Sequence, residues 1–351
     1  MALKYVDNFE FWTTTPGTFT STSGASISGG VLSNSANGGF ALISNNLTLQ
    51  ATYIINVRMN LGSPVSPAGG INAVFNLHDT PGSAQQCGLA VAAATNKLEF
   101  FRGSAFSGSP VILGATSPLA LVTDASLTFY DIESKIVIDN SSGTIECRVN
   151  GGVQIGPTGS LDTQGTSNAQ ADACYIGANP SGGSGGPFRF QHAIVMDSTG
   201  SAGNSFIGPV DVILLPPTGD GTYTEWGVTG GPGARWQAVD EVSDPNGDTD
   251  YISSGTVGQR NTFTHGSLAG SYTAVKAAAV WINAKRDDAT TRAFKVLLRN
   301  ATPTDNLGAV EHFVGSNYTY FFQPYEVNPF TAAAWTTTEI NAVQYGVQVT
   351  T

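Results

Sequence analysis

One short segment of the chain places oxygen ligands at alternating positions. The segment contains three carboxylates and one amide within seven residues: Asp244, Asn246, Asp248 and Asp250. Hard oxygen ligands with this spacing suit Ca²⁺. The EF-hand pattern does not fit, because glycine takes the fourth place and Gly255, not glutamate, takes the twelfth. An acidic β-turn with Pro245-Asn246-Gly247 at its tip is the alternative. Apart from this possible Ca²⁺, we expect no cofactor.

Other patterns with catalytic residue types lack the context that catalysis needs. Residues 182–186 match the GxSxG nucleophile elbow, which requires a strand before it and a helix after it. Here Pro187 and a strand follow. Asp240 and Glu241 are paired acids beside Trp236, but adjacent strand residues point to opposite faces and cannot flank one glycosidic bond. The four histidines have no metal-binding spacing. We therefore predict a protein without enzymatic activity.

The cysteines indicate structural positions. There are three, Cys87, Cys147 and Cys174, and no CxxC motif occurs. Cys147 stands in the alternating run 144–149, which predicts a half-buried strand position, since cysteine commonly behaves as a small apolar residue. Whether Cys147 and Cys174 form a disulfide is left open.

Two tryptophans are candidates for an interface. Trp12 and Trp335 lie near the two ends of the chain, in contexts typical of loops. An exposed tryptophan can anchor a protein interface or stack on a sugar. For Trp236 and Trp281 we expect packing in the core.

Composition and charge limit the possible partners. A chain of 351 residues predicts two domains. Charged residues make up 12%, against about 25% in an average soluble protein. Before Gly219 there are 7 Lys/Arg and 13 Asp/Glu, and from there on 8 and 13, so neither half is basic. Without a basic cluster to neutralise phosphates, we expect no nucleic-acid partner.

The chain shows no export or membrane signal. Residues 1–11 lack a basic region followed by an apolar one, so no signal peptide is expected. The longest apolar runs, near 210–217 and 274–284, are too short to span a bilayer. We therefore expect no membrane partner.

Short strands joined by Asn, Ser and Gly turns fill residues 1–215. The runs 126–132 and 134–139 are followed by a turn, a returning strand at 144–149, and the turn Asn150-Gly151 before 153–155. Asn and Gly accept the positive φ that tight hairpins need, so this pattern predicts a meander.

Residues 216–351 are predicted to form a second β-domain. We favour a strand over a helix at 274–284, because Val, Ile and Trp pack well on a sheet. The run 292–299 is expected to pair back on it. Thr336 and Glu339 have capping-box spacing and predict one short helical turn. The predicted fold class is all-β, with two β-sandwich, jelly-roll-like domains in tandem.

Two resemblances extend these expectations. The meander resembles the late strands of a laminin G-like, concanavalin-type jelly roll, which implies that fold for residues 1–215. Two later segments resemble a C-terminal module common in structural proteins of tailed bacteriophages. The residues that carry this second resemblance are Glu225-Trp226, Ala234-Arg235-Trp236, Val239-Asp240-Glu241 and Asp248–Tyr251, then Asn328–Thr336, Glu339, Asn341 and Gly346-Val347.

The phage resemblance implies a non-enzymatic structural protein on the exterior of a virion. It would be a capsid decoration (cement) protein, a head fibre or a tail-attached protein, made in the host cytoplasm and working by multivalent packing. Its partners would be major capsid or tail proteins and copies of itself. Capsid or tail location is left open. The alternative is a lectin-like receptor-binding module that recognises host surface glycans. A polysaccharide depolymerase is disfavoured, because no spacing brings two carboxylates into one groove.

Overall fold

The computed structural model describes residues 2–10, 19, 21–34, 40–43, 47–62, 71–79, 84–103, 110–123, 128–177, 188–200, 202–231, 233–241, 245–268, 270 and 272–351. Within them the regular secondary structure is almost entirely β-strand, and the chain forms two compact units, Met1–Val212 and Ile213–Thr351. The predicted all-β, sandwich-type fold class is confirmed. No helix in the described residues is long and apolar enough to cross a membrane.

The strands described in the first unit are short to medium in length. They are β1 Leu3–Asp7, β2 Ser21–Ser23, β3 Ala25–Ser28, β4 Val31–Asn34, β5 Phe40–Ile43, β6 Thr52–Leu61, β7 Asn72–His78, β8 Gln85–Val91, β9 Leu98–Arg102, β10 Val111–Leu113, β11 Tyr130–Val137, β12 Gly143–Val149, β13 Gly152–Leu161, β14 Ala173–Ile176 and β15 Phe188–Asp197.

These strands form two antiparallel sheets. In the described residues, the first sheet has the order β13-β12-β11-β6-β15-β4-β3, with β1 also paired to β15. The second has the order β10-β9-β8-β7-β14-β5-β2. Alternating apolar residues fill the interior, among them Ile55 and Val57 of β6 and Phe75 and Leu77 of β7, all at most 1% exposed. Side chains of opposite orientation on β6 and β11 form the outer face of the first sheet.

Strands β11, β12 and β13 form the predicted meander. In the second turn, Asn150 has a φ of 49° and Gly151 a φ of 80°, as a two-residue hairpin turn requires. Where two strands were expected at 126–132 and 134–139, the described residues contain one strand, β11, which continues through position 133; residues 126 and 127 lie outside the described residues. Ser134 does not interrupt it, because its side chain takes a buried inner position in the sheet.

All three cysteines are buried and free. Cys147 lies in β12 and Cys174 in β14 of the other sheet, and both are free, so the disulfide left open by the sequence is not formed. Burial raises the pKa of the Cys147 thiol to about 12, and it raises the pKa values of Cys87 and Cys174 as well. The thiols are therefore protonated at neutral pH.

The second unit contains ten described strands, one short α-helix and one turn of 3-10 helix, Trp236–Ala238. The strands are β16 Pro217–Thr224, β17 Gly227–Thr229, β18 Tyr251–Ser253, β19 Arg260–His265, β20 Ala278–Ala284, β21 Arg292–Arg299, β22 Asp305–Leu307, β23 His312–Val314, β24 Thr319–Tyr325 and β25 Gln344–Val349. The helix is α1 Thr337–Ala342.

Two sheets enclose the core of the second unit. Across the described strands, one has the order β16-β19-β25-β21-β22, with β23 also paired to β21, and the other pairs β20 with β24. Phe294 and Val296 of β21 pack in one cluster with Tyr325 of β24, Trp335 and Ile340. This arrangement is a β-sandwich.

One predicted strand pairing is wrong. The strand preferred over a helix at 274–284 is present as β20, but the run 292–299 does not pair with it. Strand β20 pairs with β24, while β21 pairs with β25. Apolar residues of β20, such as Val280, pack on the cluster that contains Phe294 of β21. The two strands therefore bury their apolar faces against each other from opposite sheets instead of sharing one sheet.

Gly346 provides a test of the close approach of β25 to β19 in the larger sheet of the second unit. A Cβ at this position of β25 would lie 1.9 Å from the carbonyl oxygen of Asn261 in β19. Gly346→Ala should therefore lower the free energy of unfolding by about 3 kcal/mol, measured by urea unfolding with tryptophan fluorescence. Gly315→Ala is the matched control, because nothing lies within 4 Å of a Cβ there. Equal effects of the two substitutions would contradict the close approach of β19 and β25.

Candidate functional site

A cavity of about 250 Å³ lies beside α1 in the second unit. It forms where the turn after β21, the loop after β24, Trp335 and the helix meet. Its apolar wall includes Phe330, Trp335 and Val343. Amide, hydroxyl and carboxylate side chains complete it, among them Asn300, Thr302, Asn328, Thr331, Thr338 and Glu339.

Asn328 builds the loop that carries Phe330. Its backbone N–H donates to the carbonyl of Ala333 and its own carbonyl accepts from the N–H of Ala332, both at 2.8 Å. Its side-chain Oδ1 accepts from the N–H of Phe330 at 2.9 Å. Ala332 takes a φ of 55°, which closes the loop tightly. The side chain at position 328 therefore fixes the backbone of Phe330 at the cavity wall.

Trp335 supports the same wall from the core. Its indole N–H donates to the carbonyl of Tyr325 at 3.0 Å, and the side chain is only 3% exposed. It packs with Leu298 and Ile340 in the core cluster. The residue suggested as an interface candidate is thus an internal support of this unit, and its part in an interface stays a prediction. Trp12, the other candidate, lies outside the described residues.

Glu339 gives the cavity a negative charge. Its carboxylate accepts from the backbone N–H and the hydroxyl of Thr336, each at 2.8 Å, while Thr336 Oγ1 accepts from the N–H of Glu339 at 3.2 Å. This is the capping box that the sequence predicted. The hydrogen bonds from Thr336, joined by one from Asn328, hold the pKa of the Glu339 carboxyl below its usual value. The carboxylate is therefore ionised at neutral pH.

This set of groups suits a polyol. An aromatic ring can stack on the C–H face of a sugar, and amides, hydroxyls and a carboxylate can exchange hydrogen bonds with its hydroxyl groups. Cavities for drug-sized ligands measure about 300–1,000 Å³. At about 250 Å³, this cavity suits a smaller ligand, of the size of one sugar ring.

Three of the four predicted calcium ligands, Asn246, Asp248 and Asp250, are described, and they take part in hydrogen bonds within the protein. Asn246 donates its side-chain amide to the carboxylate of Asp250. Asp248 accepts from Lys285 Nζ at 2.7 Å and from the Tyr318 hydroxyl at 2.9 Å. The hydrogen bond from Lys285, followed by the one from Tyr318, lowers the pKa of the Asp248 carboxyl. Asp244 lies outside the described residues, as does the 182–186 GxSxG segment.

No group of three or more His, Cys, Asp or Glu side chains in the described parts of the chain could hold a metal ion. Because Asp244 lies outside the described residues, the calcium site at 244–250 stays a prediction.

The first unit contains a pair of carboxylates that the sequence analysis missed. Asp131 and Glu133 are two residues apart in β11, so both side chains point to the outer face of the first sheet. Glu133 accepts from the N–H groups of Ile207 and Gly208 at 2.6 and 3.1 Å and is 3% exposed. Burial is the main cause that raises the pKa of Asp131. The signal for this pair in the sequence was the spacing of two residues between Asp131 and Glu133, which places both side chains on one face of a predicted strand. The adjacent Asp240 and Glu241 lie outside any strand.

No protein-family model and no curated protein sequence matches the chain. Its fold is similar to that of several solved structures. Trypanosoma rangeli sialidase in complex with the inhibitor DANA is 15% identical with a TM-score of 0.33, and the match covers 50% of this chain and 26% of the sialidase. The carbohydrate binding module CBM66 from Bacillus subtilis is 15% identical with a TM-score of 0.30, and the match covers 54% of this chain and 98% of the module. SCLam, a non-specific endo-β-1,3(4)-glucanase from family GH16, is 8% identical with a TM-score of 0.36, and the match covers 56% of this chain and 91% of the glucanase.

These neighbours correct the expectations from sequence. The sialidase and the glucanase are enzymes, so the prediction of a protein without enzymatic activity is contradicted. The neighbours are carbohydrate-binding or glycan-acting β-sandwich proteins, which agrees with the predicted sandwich class. Nothing in these comparisons shows a phage protein. At such low identities the similarity concerns the fold and assigns no activity to this chain.

The capping box at the cavity can be tested through stability. Thr336→Ala removes the side chain that accepts from Glu339 and should lower the free energy of unfolding of the second unit by about 1 kcal/mol. Urea unfolding followed by tryptophan fluorescence reports on this unit, which holds four of the five tryptophans. In the control Thr337→Ala, the hydroxyl is not the cap, and alanine is a better helix former. A loss at position 337 as large as that at 336 would contradict the capping role.

Proposed function

We propose that the protein binds carbohydrate and that the cavity of the second unit is a binding site for one sugar residue. The observation that carries the proposal is the partly exposed Phe330 ring, backed by the buried Trp335, beside amide, hydroxyl and carboxylate groups. This combination offers a sugar both a face for its C–H groups and partners for its hydroxyls. The proposal rests on the cavity, since the TM-scores of the structural neighbours are too low to assign a ligand.

A single site of this size should bind weakly. The cavity covers one ring and leaves the rest of a glycan outside, so we expect a dissociation constant on the order of 1 mM. Several copies on one particle or oligomer would raise the effective affinity without any new contact. Weak single-site binding and firm attachment to a glycan-bearing surface are therefore compatible.

Phe330 tests the proposal. Phe330→Ala should weaken glycan binding about tenfold, because one aromatic contact of this kind is worth about 1.4 kcal/mol. A glycan array identifies a ligand, and titration followed by NMR gives the affinity. Phe313→Ala is the matched control: that phenylalanine is 60% exposed and does not line the cavity. The proposal fails if no glycan binds, or if the two substitutions weaken binding equally.

We further propose a setting for this activity, the exterior of a tailed-phage particle. One observation favours it. In the second of the two segments that resemble the phage module, residues form a connected element around the cavity: Asn328 orders the loop, Trp335 supports it and Thr336–Glu339 begin the helix. Asn341 extends the element by accepting from the N–H of Leu268 at 2.8 Å. This segment of the resemblance therefore corresponds to one structural element of the second unit.

The copy number in purified particles tests this setting. Quantitative mass spectrometry with electron microscopy should find the protein on particles, with capsid or tail proteins as its neighbours and in an oligomeric form. Many copies on the capsid lattice would indicate decoration, and a few at the tail would indicate host recognition. Absence from purified particles would refute the setting while leaving the carbohydrate proposal intact.

A further inference from the structure

We propose that the cavity beside α1 selects uncharged sugar residues and disfavours acidic ones such as uronic or sialic acids. This inference rests on the proposed carbohydrate binding and defines its substrate class. Among the described residues that line the cavity, Glu339 is the one charged group, and neither lysine nor arginine is present. A sugar carboxylate would meet a negative charge without a cation to compensate for it.

The Glu339 charge is fixed by the fold. Its carboxylate accepts from the backbone N–H and the hydroxyl of Thr336 as part of the capping box, so turning away would break both hydrogen bonds. The same bonds keep its pKa low, and it stays ionised in the neutral range. In the described residues no Lys, Arg or His forms an ion pair with it: the ion pairs of the second unit all involve other acids.

The cation nearest in sequence to the cavity is engaged elsewhere. Arg299 directly precedes Asn300, which lines the cavity. Its guanidinium pairs with Asp305 at 2.5 Å and donates to the Tyr223 hydroxyl at 3.0 Å. Arg299 is therefore held by Asp305, which also pairs with Arg260, and by Tyr223, and it does not line the cavity. Asn300 itself is uncharged, and its Oδ1 accepts from the N–H of Thr304.

The expected discrimination follows from Coulomb's law. Two negative charges about 4 Å apart repel each other in water strongly enough to weaken binding about fivefold, and partial enclosure increases the effect. Salt reduces it, because the charges lie near solvent. We therefore expect a neutral sugar to bind at least about fivefold more tightly than its uronic acid at low ionic strength, with a smaller ratio at high salt.

Matched pairs of sugars test this inference on the full chain. The pairs are methyl glucoside with methyl glucuronide and methyl galactoside with methyl galacturonide, titrated by NMR with the Trp335 indole N–H as the local reporter. The neutral member of a pair should shift this signal at lower concentration. Glu339→Gln removes the charge while glutamine still suits the capping box. The ratio of neutral to acidic affinity should then fall toward one.

The control and the outcomes separate the two proposals. Glu311→Gln changes the net charge equally but lies outside the cavity lining, so it should leave the ratio at its wild-type value. Equal or tighter binding of the acidic sugars to the wild type would overturn the charge selection, as would a ratio that Glu339→Gln does not change. If no sugar of either kind shifts the cavity signals, the proposed carbohydrate binding fails, and the inference fails with it.

Discussion

The loop and helix that border the cavity depend on the hydrogen bonds of Asn328, a residue that is 2% exposed. Its backbone N–H and carbonyl close the loop on Ala333 and Ala332, and its side-chain oxygen accepts from Phe330. The side chain also donates to the carboxylate of Glu339 and so joins the loop to the helix. A buried polar group left without a partner costs about 1–3 kcal/mol. Few other side chains could satisfy this many groups at once, so the residue type is closely constrained.

The groups that stabilise this element also define what the cavity can bind. The loop fixes Phe330 at the wall, and the helix cap places the Glu339 carboxylate beside it. Trp335 lines the cavity from the side of the core. Its indole N–H donates to the carbonyl of Tyr325, and its ring packs in the core cluster, so its position is fixed. Shape and charge of the cavity therefore do not vary independently of stability. A substitution that alters the ligand chemistry is expected to alter the folding of this unit as well, which is why control variants outside the cavity are needed.

Local features were predictable from the sequence, and long-range ones were not. The Asn150-Gly151 turn and the Thr336 cap are set by neighbouring residues and their φ values, so their residue types indicate them directly. The partner of β20 lies beyond β21, β22 and β23 in the sequence, and the default of pairing with the next strand gave the wrong answer. The cavity combines residues 300–302, 328–331 and 335–343. No spacing rule relates these segments, because only the packing of the sandwich brings them together.

Two carboxylates of this chain show why residue type alone does not define a site. Glu133 and Glu339 both accept backbone N–H groups, from Ile207 and Gly208 in one case and from Thr336 in the other. The backbone at 207–208 covers Glu133, which leaves it 3% exposed despite its place beside Asp131. Glu339 instead borders an open cavity with an aromatic wall. Of the two acids of the first unit, Glu133 is buried under backbone, whereas Glu339 borders the cavity and is the one carboxylate among the described residues that line it. Access to solvent, more than the identity of the acids, therefore makes the second unit the better candidate for ligand binding.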